Sequence, residues 1–296
     1  YVNMLTWPVT LGGWVTSIVK QAEASQKRIN DFMSSKSSLL NGNEKLDVIK
    51  SKEIYFKNIS FIHNQTGIQV FDSFNLKIEK GNSIGIIGKV GSGKSTLLDL
   101  LTRIYDPTQG SVIIENTDIK KLDINNLRSI ISYVPQNNFL FSESIFKNIQ
   151  FGNLNATKDE IIKAAKLAEI DSEIRKFDNG YETILGERGV TLSGGQAQRI
   201  SIARSLIKAA SIYLFDDCFS ALDTETEERI LSNLKNNFQN KTIIIVSHRI
   251  SCVKHSDKII VIDEGKIIQE GSHKELKNIK GYYKELFDKQ KTELSK

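Results

Sequence analysis

The stretch that most constrains this chain is Ser83-Ile-Gly-Ile-Ile-Gly-Lys-Val-Gly-Ser-Gly-Lys-Ser-Thr96. Ile84 to Ile87 reads as a short buried strand. Glycines follow at Gly88, Gly91 and Gly93, and Lys94-Ser95-Thr96-Leu97-Leu98 opens an apolar-periodic helix. From Gly88 to Ser95 the spacing fits G-x-x-x-x-G-K-[ST] in full, through Lys89, Val90, Gly91, Ser92 and Gly93. Glycine reaches backbone angles that other residues avoid, so successive N–H groups can close around phosphate oxygens. The new helix points its partly positive N-terminus at the same oxygens. Lys94 adds a charge for the β- and γ-phosphates, and the Ser95 hydroxyl suits Mg²⁺.

Strands alternate with helices around this loop, which argues for an α/β core. Strand patterns precede it at Ile54–Phe56, Ile59–Phe61 and Val70–Ile78, giving an antiparallel part at the front. Others follow at Ser111–Ile114, Ile130–Val134, Ile212–Phe215 and Thr242–Val246, then a hairpin across Val261–Ile268. Helices are predicted from Thr157, where Thr157-Lys-Asp-Glu160 is a capping start, through Ile200–Leu206, over Thr224–Asn237, and over His273–Lys289. The run Ile212–Phe215 closes on Asp216, a strand-end carboxylate placed to share Mg²⁺ with Ser95.

Residues 1–19 carry no charge and hold Trp7, Pro8, Gly12, Gly13 and Trp14, which suits the end of a membrane helix. No basic segment precedes them as in a signal peptide. Charge begins at Lys20. Ile18, Ala22, Ser25, Ile29 and Phe32 recur at helical spacing, so one helix is expected to leave the membrane into water on the basic side. Ser34-Ser-Lys-Ser-Ser38 and Asn41-Gly-Asn43 have linker composition. The net charge of +5 is dispersed and forms no basic, aromatic-laced patch for nucleic acid. The two cysteines, Cys218 and Cys252, have no metal-ligand spacing and suit a reducing compartment.

Leu192-Ser193-Gly194-Gly195-Gln196 makes the reading specific. With it, the sequence resembles the ATP-binding cassette (ABC) family, and more closely the ATPase half of an ABC exporter. The resemblance runs from about residue 53 to the end, and the first 40 residues are similar to the end of the last transmembrane helix of such exporters. Gln136 matches the family's Q-loop glutamine. Ser220-Ala-Leu-Asp223 looks like its D-loop, His248 its switch histidine, and Gly186-Glu-Arg-Gly189 the exporter loop before the signature.

The resemblance implies a P-loop ABC cassette with a mixed core sheet, an antiparallel β subdomain and a helical subdomain at about 137–205. The cassette would span 53–296, behind a membrane helix end at 1–19 and a cytoplasmic extension and linker at 20–52. It implies ATP and Mg²⁺ as ligands, with Ser95, Gln136 and Asp216 around the metal. Lys94, Asp217 and His248 would act on the γ-phosphate and the attacking water. Ser193 to Gln196 would face the ATP held by a second cassette. Partners would be a second half-transporter, the cell membrane with the ATPase facing the cytoplasm, and a transported small molecule, lipid or peptide.

Two positions depart from the family. Asp217 stands where glutamate is usual, one methylene shorter. A setback of about 1 Å can cost on the order of 10²-fold in rate, so slow hydrolysis is expected here. That resembles the degenerate half of a heterodimer; a slow homodimer is the alternative, since His248 is retained. His63 stands where an aromatic usually stacks on adenine, with an exposed loop histidine as the competing reading. Rival functions are a soluble ABC ATPase of repair or translation, and a module gated by ATP without turnover.

Overall fold

The computed structural model describes all residues except 35, 36, 38, 48, 49, 51, 65, 187–191, 295 and 296, and the side chains of 293 and 294. It separates into two units, Tyr1–Leu40 and Asn41–Lys296. The first is one continuous helix, α1 (Val2–Ser34), with Pro8 inside it and no buried residue. The hydroxyls of Thr6, Thr10 and Thr16 each donate to the carbonyl four residues back, so they are satisfied without water. Among the described residues no helix is long and apolar enough to cross a membrane.

The second unit begins where Asn41 accepts from the Ile124 N–H and Glu44 N–H donates to the Lys121 carbonyl. Strands β1 (Ile54–Ile62), β2 (Gln69–Ile78) and β3 (Ser83–Gly88) lead to α2 (Lys94–Leu101). Then come β4 (Gln109–Ile114), β5 (Thr117–Asp118), α3 (Ile124–Ile130) and β6 (Ile131–Val134). A helical insert follows with α4 (Ile145–Gln150), α5 (Lys158–Leu167) and α6 (Asp171–Ile174), ending in α7 (Gly194–Leu206). The alternation resumes through β7 (Ile212–Asp216), α8 (Thr224–Asn237), β8 (Thr242–Val246) and α9 (Ile250–Val253). The hairpin β9 (Lys258–Asp263) and β10 (Lys266–Gly271) precedes α10 (His273–Leu276) and α11 (Tyr282–Leu294).

Two sheets result. One is antiparallel, in the order β2-β1-β4-β5. The other, β10-β9-β3-β8-β7-β6, is parallel except for β10. Strands β7 and β8 are buried at every position, as expected where helices cover both faces of a parallel sheet. Ile54, Phe56, Phe71 and Phe74 pack with Leu97, Leu98 and Leu101 in one core between the sheets, while α5 and α7 build a second on the other face.

Three local readings change. The two short strands at 54–56 and 59–61 are one strand: Asn58 takes a positive φ of 48°, its N–H is accepted by Asn75, and the ladder continues past the bulge. Helices α3 and α9 are not signalled by periodicity because each is shorter than the pattern needs. The single helix expected over 273–289 is two. Ser272 and Glu275 form a capping box for one turn, and Gly281 then takes φ 151°, where a Cβ would strike the Gln269 side chain.

Arg204 of α7 ties the helical insert to the strand-end loop. It donates to the Asn148 carbonyl at 2.8 Å, to Asn148 Oδ1 at 2.7 Å and to the Phe139 carbonyl at 2.8 Å, beneath Phe141 and Phe151. Burial lowers its pKa to about 10, so it stays charged. Losing it leaves the half-buried Asn148 carbonyl without its donor and Asn148 Oδ1 with the Phe141 N–H alone. Arg204→Ala is expected to cost about 2–4 kcal/mol in denaturant unfolding, and Arg204→Lys to recover little because one ammonium cannot span that fork.

Candidate functional site

The parallel register puts the ends of four strands in one row: Ile86 pairs with Val246, Val246 with Asp216, and Phe215 with Val134. Side chains and loops at that edge share a pocket of about 360 Å³. Gly91, Gly93, Lys94, Ser95 and Thr96 line it, and so do Gln136, Asp216, Asp217 and His248. His63 closes it with Ile68, Val70 and Val90. A larger cavity of about 590 Å³ lies between β6 and α7, but Phe139, Phe141 and Phe151 line it and it holds none of the sequence-flagged residues. Arg128, Arg204 and Lys208 also line the larger cavity but donate to backbone carbonyls there. The amides of the glycine loop, which a triphosphate needs, lie at the smaller pocket, so that pocket is the candidate.

The loop is built by close approach. At Gly88 a Cβ would run into the Ile262 carbonyl oxygen of β9, so only glycine lets the strand end pass. Gly91 and Gly93 take φ 80° and 99°. Lys94 is buried, and its ammonium donates to the Gly88 carbonyl at 2.9 Å and the Lys89 carbonyl at 2.6 Å. Burial lowers its pKa, against the opposing pull of Asp217 and then Asp216. Gly88, Lys89 and Ser92 form the back of the loop and do not line the pocket. The Lys89 ammonium turns away to Asp263 at 2.9 Å.

Ser95 Oγ donates to Asp216 Oδ1 at 3.3 Å, and the Tyr133 hydroxyl donates to Asp216 Oδ2 at 3.2 Å. Burial raises the Asp216 pKa while these two bonds oppose it. A hydroxyl and a carboxylate side by side are the hard oxygen donors that Mg²⁺ takes, so the pair fits that ion. Tyr133, missed in the sequence, orients the carboxylate; nothing in its neighbourhood flags that role before β6 is set beside β7. Asp217 sits at φ 44°, with its Oδ1 accepting from Ser247 Oγ at 3.4 Å and from the His248 N–H at 3.3 Å. His63 stands edge-on to Phe61, ring centroids 4.8 Å apart, and to Tyr105 at 5.6 Å.

Ser193 to Gln196 do not line this pocket. Ser193 is exposed and caps α7, accepting from the Gln196 N–H, while Gln196 Oε1 accepts from the Ser193 N–H. Glu173 holds both Gln196, at 2.9 Å, and Arg199, at 2.6 Å. Gln198, two residues on from Gln196 and without a role legible in the sequence, is buried. It donates to Ser220 Oγ at 3.3 Å and accepts from the Ala221 N–H at 3.0 Å, which joins the signature helix to the following loop. Asp223 closes that loop by capping α8 through the Thr226 N–H. Residues 187–189 of the loop before the signature lie outside the described residues.

The sequence profile described as "ABC transporter" matches residues 71–220, half of the chain. A multidrug resistance-like ATP-binding protein, MdlA, of Buchnera aphidicola is 40% identical over 300 residues, covering 98% of this chain and 50% of that protein. An ATP-dependent lipid A-core flippase of Desulfotalea psychrophila is 39% identical over 284 residues, covering 96% and 49%. The solved structure of a bacterial Atm1-family ABC exporter with ATP bound superposes with a TM-score of 0.86 at 34% identity, over 92% of this chain and 48% of that one. The chain thus spans about half the length of the relatives it matches. The matched segment contains the glycine loop, the signature and the Asp216–Asp217 strand end, and the chain belongs to the ABC transporter family, whose ATP-binding domains are ATPases.

Proposed function

We propose that this chain is the cassette end of an exporter half-transporter, which binds and hydrolyses ATP to drive transport. The observation that carries it is one pocket holding Lys94, Ser95, Gln136, Asp216, Asp217 and His248 while the intact signature faces outward. ATP lies with its phosphates on the loop amides and Lys94, and His63 with Ile68 and Val70 takes the base. Ser95, Asp216 and Gln136 hold Mg²⁺, which neutralises phosphate charge when bound. Asp217 orients the attacking water and His248 contacts the γ-phosphate. Ser193, Gly194 and Gly195 complete the site of a second cassette, with Ser220 and Asp223 between the two. Closed and open dimers are then populations shifted by ATP binding and loss.

Residues 1–19 are the end of a membrane helix, 20–52 its extension and linker, and 53–296 the cassette, lying on the cytoplasmic side of a cell membrane. Lys20, Lys27 and Arg28 on α1 suit that side. The cargo is a small molecule, lipid or peptide. The second subunit is a different chain that carries glutamate after its strand-end aspartate. Asp217 supports this, being short and already bonded to Ser247 and the His248 N–H rather than reaching forward. The same observation favours a second reading, in which ATP here gates the dimer without turnover.

Three outcomes test this in the full transporter. Lys94→Ala should weaken ATP binding by about 10–100-fold in calorimetry, the loss of a charge-assisted phosphate contact. Undiminished affinity removes the site. Asp217→Glu should raise turnover at this site by on the order of 10²-fold. Ordinary exporter rates from this chain purified without its partner, with Asp217 unmodified, would refute the slow-site reading, and no gain from the glutamate would favour the gating module. His63→Tyr should sharpen preference for ATP over GTP in competition binding; equal ratios would make His63 a loop residue only.

A further inference from the structure

Gln290, near the end of α11, grips the backbone on both sides of Arg249. Its side-chain nitrogen donates to the His248 carbonyl at 2.7 Å, and its side-chain oxygen accepts from the Ile250 N–H at 2.9 Å. One amide meets a donor and an acceptor at once, so its orientation is set by the pair it serves. The contact answers a local need. Helix α9 starts at Ile250, and Arg249 before it supplies no side-chain cap. The first N–H groups of any helix lack partners within it. Gln290 provides the missing acceptor from 40 residues away in the chain.

The same short segment is held from the other side. The His248 N–H donates to Asp217 Oδ1. Arg249 Nη1 donates to the Leu222 carbonyl at 3.0 Å and to the buried Glu227 at 3.0 Å. His248 therefore stands between a clamp from the Asp216–Asp223 stretch and a clamp from the last helix. The last helix does not depend on Gln290 for its own seat. Tyr283 at its start is fully buried, its hydroxyl lies 2.8 Å from His273 Nδ1, and its N–H is accepted by Gln269 at 3.0 Å. Leu286 and Phe287 pack on the core.

We infer that Gln290 is a positioning residue for His248: the last helix sets where the imidazole stands over the pocket, so displacing that helix alters hydrolysis without altering ATP binding. This rests on the proposed role of His248 at the γ-phosphate. It makes the last helix a lever on the site, open to anything that pulls it from its seat.

The test uses Gln290→Met, which keeps length and packing but makes neither hydrogen bond, beside Gln290→Ala, in the full transporter with the partner subunit's strand-end glutamate replaced by glutamine, so that turnover reads this site alone. Both should stay folded, with a melting midpoint lower by no more than about 2–6 °C, and keep the affinity for MgATP, while both should lower kcat by about tenfold with KM within about twofold. On a His248→Ala background, Gln290→Met should remove less than twofold more. Wild-type kcat in Gln290→Met, or a full tenfold further loss on His248→Ala, overturns the proposal. Amide exchange across residues 247–252 is the readout that does not need turnover, and it should speed up in Gln290→Met. A wild type that hydrolyses nothing would fail the hydrolysis reading alone, while unchanged exchange in Gln290→Met would overturn the clamp whatever the turnover.

Discussion

The structure depends on strands β3, β8, β7 and β6 ending at one level. Parallel strands cannot be joined by tight turns, so each returns through a helix and enters the sheet from the same side. Their C-terminal ends then form a common edge, and open parallel sheets collect ligands there. The glycine loop, Asp216, His248 and Gln136 all follow a strand in this row. A one-residue slip of β7 against β8 would swap Asp216 for a core side chain, and the packing of Ile212, Tyr213, Leu214 and Phe215 beside the isoleucines of β8 holds the register against it.

Electrostatics at that edge are arranged around a buried ammonium. Lys94 loses water and is repaid by two carbonyls and by the field of Asp216 and Asp217. Asp216 is likewise taken from water, and Ser95 and Tyr133 supply its hydrogen bonds. Neither charge is left without a partner, which is the condition for keeping ionised groups inside a protein. A triphosphate would exchange carbonyl partners for phosphate oxygens at Lys94 with little rearrangement of the scaffold, in keeping with the proposed site.

The outward-facing signature has its own support. Glu173 fixes Gln196 and Arg199, and Gln198 fastens the same helix to Ser220 and Ala221. At Gly195 a Cβ would stand 3.0 Å from the Ala221 carbonyl, so a small residue keeps helix and loop close. Arg249 carries the connection on to the segment of His248 through Leu222. In the proposed dimer, a group reading one ATP is thus bonded, step by step, to a group reading the other.

Much of this was legible in the sequence. Gly88 to Thr96, Leu192 to Gln196, and Ile212 to Asp217 are contiguous runs, and each specifies its local backbone through glycine angles, capping chemistry or apolar period. The strand-and-helix alternation followed from the same signals, while α3, α9 and the break at Gly281 escaped because they are short or set by a contact elsewhere. Contiguous residues therefore determined the loop, the fold class and the family. Tertiary structure alone decided that Tyr133 orients Asp216, that Gln198 joins signature to loop, that Lys89 points away, and that Gln290 holds His248. Those partners lie tens of residues apart, and a hydrogen bond at 3 Å exists only after strand register and helix docking have brought its two ends together.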